Sequence, residues 1–303
     1  MFFWWIFPPK KKMLMKKQIF NQDVIGPQDF DELVNKMRTF FMQKNYKEVY
    51  PQPIRSIMAA CEDPRTLRSF TFDGNTWPLS QTNQMNLEMI LLTMPEEADG
   101  IYCMTTSYRD EPNPIPGRHD KIFPMWEFEH KGNFQDLIKT LSELSVHLGF
   151  VKKTEDIPIF TYDELCEHYG VDNLESDHEI LIWKEYGDVV GITYFPERTH
   201  PFWNMKQDGL NKKGERLFNK TDFIICGQET FGSAERSVDV EQMRNSFHSI
   251  SDGMYAKLLY NEFGKERVIN ELESYLSLPM INRYGAGIGF TRLYRNMKLK
   301  GLI

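Results

Sequence analysis

The sequence lacks most of what would mark a metal centre, a disulfide scaffold or a membrane span. Its four cysteines, Cys61, Cys103, Cys166 and Cys226, are widely separated. Without a close C-x-x-C pair a zinc ribbon is excluded, and a disulfide framework is disfavoured. Scattered thiols fit a reducing compartment, so a cytoplasmic protein is expected. The seven histidines form no H-E-x-x-H or H-x-x-x-H pair, and a metal site built by the protein alone is not expected. There is no G-x-x-x-x-G-K-[ST] and hence no P-loop. The glycines at 285, 287 and 289 are spaced wrongly for a dinucleotide fingerprint and have no βαβ unit after them. No apolar run is long enough to cross a bilayer. The stretch MFFWWIF at residues 1–7 precedes prolines and lysines, the reverse of a signal peptide. A disordered tail over residues 1–28, or a start at Met13 or Met15, is expected there, with no membrane contact. Internal repeats and long linkers are also missing, so residues 29–303 read as one domain.

The composition is that of a globular protein. Apolar residues make up 41% and charged residues 26%, and 36 basic against 43 acidic side chains leave a net charge of −7. This acidic balance disfavours binding nucleic acid over the whole surface. Aromatics at 14% support a sizeable core. Residues 29–44 place Leu33, Met37, Phe40 and Phe41 on one helical face, with Asp29 or Asp31 as a cap. Residues 46–54 read as a short strand ended by prolines. A strand end and helix follow at 79–92, then strands at 101–108 and 122–130 around a Pro/Gly loop at 112–117. Residues 134–148 form a second amphipathic helix, and further apolar runs lie at 189–195, 223–226 and 288–290. Helices and strands mix without a βαβ rhythm. The expected fold is α+β, a mostly antiparallel sheet flanked by helices.

Three segments carry chemistry. In residues 107–129, Arg109 and Glu111 are two apart and share a face, as do Phe123, Glu127 and Glu129, while Arg118 and His119 sit in the loop. Charges on a strand face are costly to bury unpaired, so this face should meet a polar ligand. Arginine forks phosphate, and an aromatic ring stacks on a base. In residues 227–236, a turn at Gly232 and Ser233 would aim Glu229 and Arg236 into one site. Glu229 suits Mg²⁺, with Ser233 or Asp222 as further candidates. In residues 284–292, alternating glycines leave a bare strand face that a flat ligand could approach, next to Arg292. Taken singly, each segment reads equally as a solvated hairpin, a salt-bridged turn or a tight packing contact.

Together they resemble the class II aminoacyl-tRNA synthetases. The family's second motif, [FY]-R-x-E followed by R-H, phenylalanine and an acidic residue, is matched by Tyr108-Arg109-Asp110-Glu111, Arg118-His119, Phe123 and Glu127. The third, G-x-G-x-G-x-x-R, is matched by Gly285 to Arg292. The first is matched by the helix from Asp29 and the strand up to Pro53. The R-H…F spacing, the E-x-x-G-S-x-E-R segment at 229–236 and, more weakly, residues 192–206 resemble the aspartyl/asparaginyl branch. In residues 80–88, Leu87 stands where the aspartyl form has a lysine, and Gln84 to Glu88 is similar to the asparaginyl form, as is Glu127. Arg283 and Tyr284 depart from the usual His-Gly.

The resemblance implies attack of an amino-acid carboxylate on the α-phosphate of ATP, giving an acyl-adenylate and pyrophosphate. It implies that Arg109 holds the α-phosphate and Glu111 the adenine amino group. Phe123 would lie under adenine and Arg292 over it. Arg118 and His119 would reach the outer phosphates, beside Gly287 and Gly289, and Glu229 would hold Mg²⁺. Gln84, Glu127 and Arg236 would read the amino acid. A homodimer through the first motif is also implied. Only about 28 residues precede that motif, too few for the branch's five-stranded anticodon-binding barrel. The expectation is therefore an asparagine synthetase-like core that activates aspartate for ammonia or another small acceptor. The alternatives are a tRNA ligase without its own anticodon domain, and a non-catalytic regulatory or interaction protein.

Overall fold

A computed structural model of the protein describes residues 25–58 and 64–303. The expectations for the tail before residue 25 and for Cys61 lie outside the described residues. Cys103, Cys166 and Cys226 are buried free thiols. Among the described residues no helix is long and apolar enough to cross a membrane.

Helix α1, Pro27–Gln43, buries Leu33, Val34, Met37, Phe40 and Phe41, the expected apolar face. It starts earlier than expected. Pro27 sets its first turn and Gly26 is the N-cap, so neither Asp29 nor Asp31 caps it. Asp29 lies in the first turn and accepts from Tyr294 Oη at 2.9 Å. Lys298 is 3.0 Å from the same carboxylate and holds it below its ordinary range. The strand expected at 46–54 shrinks to β1, Lys47–Glu48, because Pro51 and Pro53 have no N–H to give a ladder.

The remaining strands are β2 (Arg68–Phe72), β3 (Asn75–Leu79), β4 (Gly100–Tyr108), β5 (Ile122–Lys131), β6 (Ile159–Thr161), β7 (Val189–Pro196), β8 (Gln207–Leu210), β9 (Arg216–Ile225), β10 (Gln228–Glu235) and β11 (Arg283–Gly289). Nine of the strands make one sheet in the order β1-β4-β5-β11-β10-β9-β7-β6, with β8 on β9, and β2–β3 is a separate hairpin. Only β1–β4 and β6–β7 pair in parallel, so the sheet is largely antiparallel as expected. The helices are α2 (Gln84–Thr93), α3 (Phe134–His147), α4 (Tyr162–Tyr169), α5 (Ser176–Tyr186), α6 (Val240–Ser249), α7 (Met254–Phe263), α8 (Lys265–Leu276) and α9 (Phe290–Lys300). Asn133 and Asp136 close a capping box that starts α3.

One core lies between α1, α3, α9 and a face of the central strands, and it contains Phe41, Trp126, Phe128 and Ile288. A second packs α6, α7 and α8 around Trp203, Phe247, Tyr255 and Tyr275. Between them the other face of β5, β11, β10 and β9 stays open. The register puts Glu127, Gly287, Gly232 and Asp222 in one row across it, and Glu129, Gly285, Ala234 and Lys220 in the next.

Candidate adenylate-forming site

That open face is the floor of a cleft of about 270 Å³. Its walls include Gln84, Glu88, Arg109, Glu111, Arg118, His119, Phe123, Glu229, Arg236, Gly287, Gly289 and Arg292. Segments nearly 210 positions apart in the chain therefore converge on one cavity.

At one end, Arg109 and Glu111 lie just past β4 rather than on it, and the Arg109 N–H extends the ladder to Lys121 O at 2.7 Å. The Arg109 guanidinium stands 5.9 Å over the Phe123 ring. Arg292, in the first turn of α9, donates to Arg118 O at 3.2 Å and to Glu229 O at 2.7 Å. Burial lowers its pKa from the usual arginine value, as does the nearby Arg118. Arg118 donates to Glu179 at 2.5 Å, and the other Glu179 oxygen accepts from Glu229 N at 2.7 Å. Sequence reasoning did not pick out Glu179, the clip between the loop and β10. Burial and the neighbouring Arg292 and Arg118 lower the His119 pKa, so its ring tends to the neutral form. This end of the cleft is strongly cationic and offers an aromatic face.

In the middle, Glu229 and Asp222 converge. A Cβ on Gly232 would lie 2.9 Å from Glu229 Oε1 and 3.8 Å from Asp222 Oδ1, so both carboxylates border the space that glycine leaves. No turn at 232–233 achieves this. The residues are on strand β10, and seven positions on a regular strand would point Glu229 and Arg236 to opposite faces. A register shift between Glu229 and Phe231 brings them to the same one. Ser233 is not positioned as a ligand, because its hydroxyl donates to Thr221 O at 2.6 Å. Among the described residues no three His, Cys, Asp or Glu side chains group to hold a metal. Two carboxylates fit Mg²⁺ all the same, because it takes its other ligands from water and phosphate.

At the far end, charges are buried against each other. Glu88 Oε2 accepts from Arg283 Nε at 3.0 Å, Arg283 Nη2 at 2.8 Å and Tyr275 Oη at 2.8 Å. Its Oε1 accepts from Asn204 at 2.8 Å and lies 3.5 Å from Arg236 Nε. Arg236 donates twice to Glu129 Oε1, at 3.2 and 2.7 Å. All four charged side chains are at most 3% exposed. Burial pulls the Glu88 pKa up, but Arg283 and Arg236 outweigh it and leave it below the ordinary range. For Glu129 burial wins, and its pKa is pushed up to about 8. The glycine face is not simply bare. A Cβ on Gly285 would fall 2.0 Å from Glu129 Oε1, so that glycine makes room for the Glu129 carboxyl rather than for a ligand.

One expected reader of the amino acid is placed differently. Glu127 is fully buried below the cleft. Its oxygens accept from the Thr82 hydroxyl, from Asn83 N at 2.9 and 3.0 Å and from Thr105 Oγ1 at 2.7 Å. It anchors the 82–83 loop that presents Gln84, with no oxygen left over for a substrate.

The family described as tRNA synthetases class II (D, K and N) matches residues 28–300. No curated protein matches the chain in sequence. Among solved structures, the fold is shared with asparaginyl-tRNA synthetase from Pyrococcus horikoshii complexed with asparaginyl-adenylate. The TM-score is 0.71 at 20% identity, over 89% of this chain and 64% of that one. It is shared also with Entamoeba histolytica asparaginyl-tRNA synthetase in complex with asparaginyl-adenylate, at TM-score 0.68 and 18% identity over 94% and 70% of the two chains. Aspartyl-tRNA synthetase from Entamoeba histolytica gives TM-score 0.64 and 16% identity over 89% and 54%. The chain thus spans a little under two thirds of the first of these. With a family match over nearly its whole length and the fold to go with it, the chain belongs to the class II tRNA synthetases of the D, K and N group.

Proposed function

We propose that the cleft activates an amino acid with ATP, forming an aminoacyl-adenylate and releasing pyrophosphate. The observation that carries this is the meeting of three chemistries in one cavity: cationic side chains with a ring, a carboxylate near the strand floor, and a buried cation beside a buried anion. Adenine lies on Phe123 with Glu111 accepting from its amino group, and Arg292 covers it and reaches the γ-phosphate. Arg118 and His119 meet the outer phosphates. Arg109 holds the α-phosphate and the attacking carboxylate together, so catalysis is positioning and charge neutralisation. Glu229 and Asp222 would hold Mg²⁺, which when bound neutralises phosphate charge. No covalent enzyme intermediate is needed.

The side chain of the amino acid meets Arg236, Glu88, Asn204 and Gln84. An amide suits this end best. Its carbonyl can accept from Arg236 and its NH₂ can donate to Asn204 Oδ1, a buried acceptor on the cleft wall, whereas a carboxylate would lie close to the Glu88 charge. Asparagine is therefore the favoured substrate, and its adenylate calls for an acceptor such as a tRNA hydroxyl. The reading as an aspartate-activating, ammonia-using synthetase comes second. It is favoured by Glu129, which when protonated leaves Arg236 with uncompensated charge for a carboxylate. A panel of ATP–pyrophosphate exchange assays separates the two: asparagine drives exchange and aspartate does not, or the reverse. Arg109→Ala removes a transition-state donor and lowers exchange by about 10²–10³. Near-normal exchange in that variant would overturn the site. Pairing of two chains through α1 is proposed as well, and sedimentation of the purified protein tests it.

A further inference from the structure

We propose that Lys220 is a second, resident cation of the adenylation step. It is held on Asp222 in the free protein and released toward the reacting phosphate and carboxylate when Mg²⁺–ATP takes up that carboxylate. The proposal rests on the adenylation reading above.

Lys220 belongs to none of the three sequence segments, but the sheet puts it among them. It is two residues before Asp222 on β9 and faces the same side. Its row, Lys220–Ala234–Gly285–Glu129, lies one step beyond the row of Asp222 and Gly232 and one step short of Arg236. It therefore stands between the carboxylate pair and the amino-acid end, where the carboxylate–phosphorus bond must form. Its ammonium is 3.1 Å from Asp222 Oδ2, and the side chain is only 16% exposed. The ammonium also sits 4.4 Å from the centre of the Phe195 ring. The same side chain lines the cleft itself and also borders a second cavity of about 410 Å³, so it lies between two open spaces.

A lysine in this place has two consequences. In the nucleotide-free protein its charge offsets one of the two carboxylates, so a divalent cation competes with it for Asp222. Once that carboxylate is taken, the ammonium on its flexible four-carbon stem can turn toward the α-phosphate and the attacking carboxylate. There it offsets the repulsion between two anions as the nucleophilic oxygen bonds to phosphorus and the pyrophosphate oxygen departs with its electron pair. The ammonium keeps its proton throughout.

The test compares the full chain with Lys220→Met and Lys220→Arg. Mn²⁺ binding to the nucleotide-free proteins is followed by electron paramagnetic resonance, and pyrophosphate exchange gives kcat and KM. Lys220→Met is expected to bind Mn²⁺ about tenfold more tightly. It is expected to lose about 10²-fold in kcat with little change in KM for ATP. Lys220→Arg is expected to keep the wild-type Mn²⁺ affinity and recover part of kcat. A lysine that merely braced Asp222 would lower the melting temperature of the Met variant and leave kcat alone. Unchanged Mn²⁺ affinity, or unchanged kcat in a folded Lys220→Met protein, overturns the proposal while wild-type exchange leaves the adenylation reading standing. Absence of wild-type exchange with all twenty amino acids overturns that reading and this role with it.

Discussion

Replacing Glu88 with glutamine tests the buried charge cluster most directly. Glutamine keeps the shape and one acceptor oxygen, but it removes the negative charge that faces Arg283 at 2.8 Å and Arg236 at 3.5 Å. Its NH₂ group would also point a donor at Arg283 and Tyr275 or at Asn204, all of which donate to Glu88 now. Glu129 cannot take over, because burial already pushes it toward the neutral form. Neither guanidinium then faces a full buried counter-charge, and breaking a buried pair in this way costs about 3–5 kcal/mol. At about 2–4 °C per kcal/mol for a domain of this size, Glu88→Gln should melt roughly 6–20 °C below wild type. Thermal and urea unfolding measure this. The double variant Glu88→Gln/Arg283→Met removes both charges of the tightest pair and should recover at least about 2 kcal/mol relative to the sum of the single variants. The pH dependence has a definite sign. The Glu88 pKa is depressed in the folded state, so its contribution is present above the ordinary carboxylate range and is lost as pH falls through the folded value. Glu88→Gln should flatten that part of the acid limb. Single effects that add within about 0.5 kcal/mol would refute the pairing and the role assigned to the cluster.

Further outcomes follow from the same geometry. If the Glu129 carboxyl sets the net charge around Arg236, exchange with aspartate relative to asparagine should fall as pH rises through about 8, and Glu129→Gln should remove that dependence between pH 7 and 9. A ratio that moves identically in both proteins would exclude Glu129 as the cause. Gly285→Ala puts a methyl 2.4 Å from Phe128 O, so neither backbone nor carboxyl can yield cheaply, and a loss of about 3 kcal/mol is expected in unfolding experiments. Asn133→Ala removes the α3 cap far from the cleft and should cost about 1 kcal/mol with exchange unchanged.

Much of the fold was legible because periodicity reports burial. The α1 face and α3 follow the helical spacing of their apolar residues, whereas β4 and β5 are buried in continuous runs on both faces. The β2–β3 hairpin, short and largely exposed, has no such signal. Helices α4 and α5 pack on the sheet and α6 to α8 mainly on one another, and their patterns do not read as helical without that context. The three segments pointed to one cleft only through their joint resemblance to a known family, since each alone reads equally as a surface or packing feature. The missed residues have a common cause. Glu179, Asn204 and Lys220 contribute through positions in space that no local spacing encodes. Glu127 was misplaced for a related reason: strand alternation gives the face of a carboxylate, but not whether a loop will settle over it and take its oxygens.

The same limit bears on specificity. Residues 84–88 and 236 show that an anion and a cation are available, and only the fold shows that two more, Arg283 and Glu129, are locked to them. A buried ion pair is a poor source of stability, since apolar residues of the same volume would often do as well. On the proposed adenylation reading, these four charges serve to select the substrate. With both carboxyls ionised the cluster is neutral and presents a fixed dipole, suited to an amide. Protonating Glu129 alone makes it cationic, suited to a carboxylate. On the proposed adenylation reading, choice between two nearly isosteric side chains would turn on the ionisation of Glu129, which does not line the cleft and for which Gly285 leaves room.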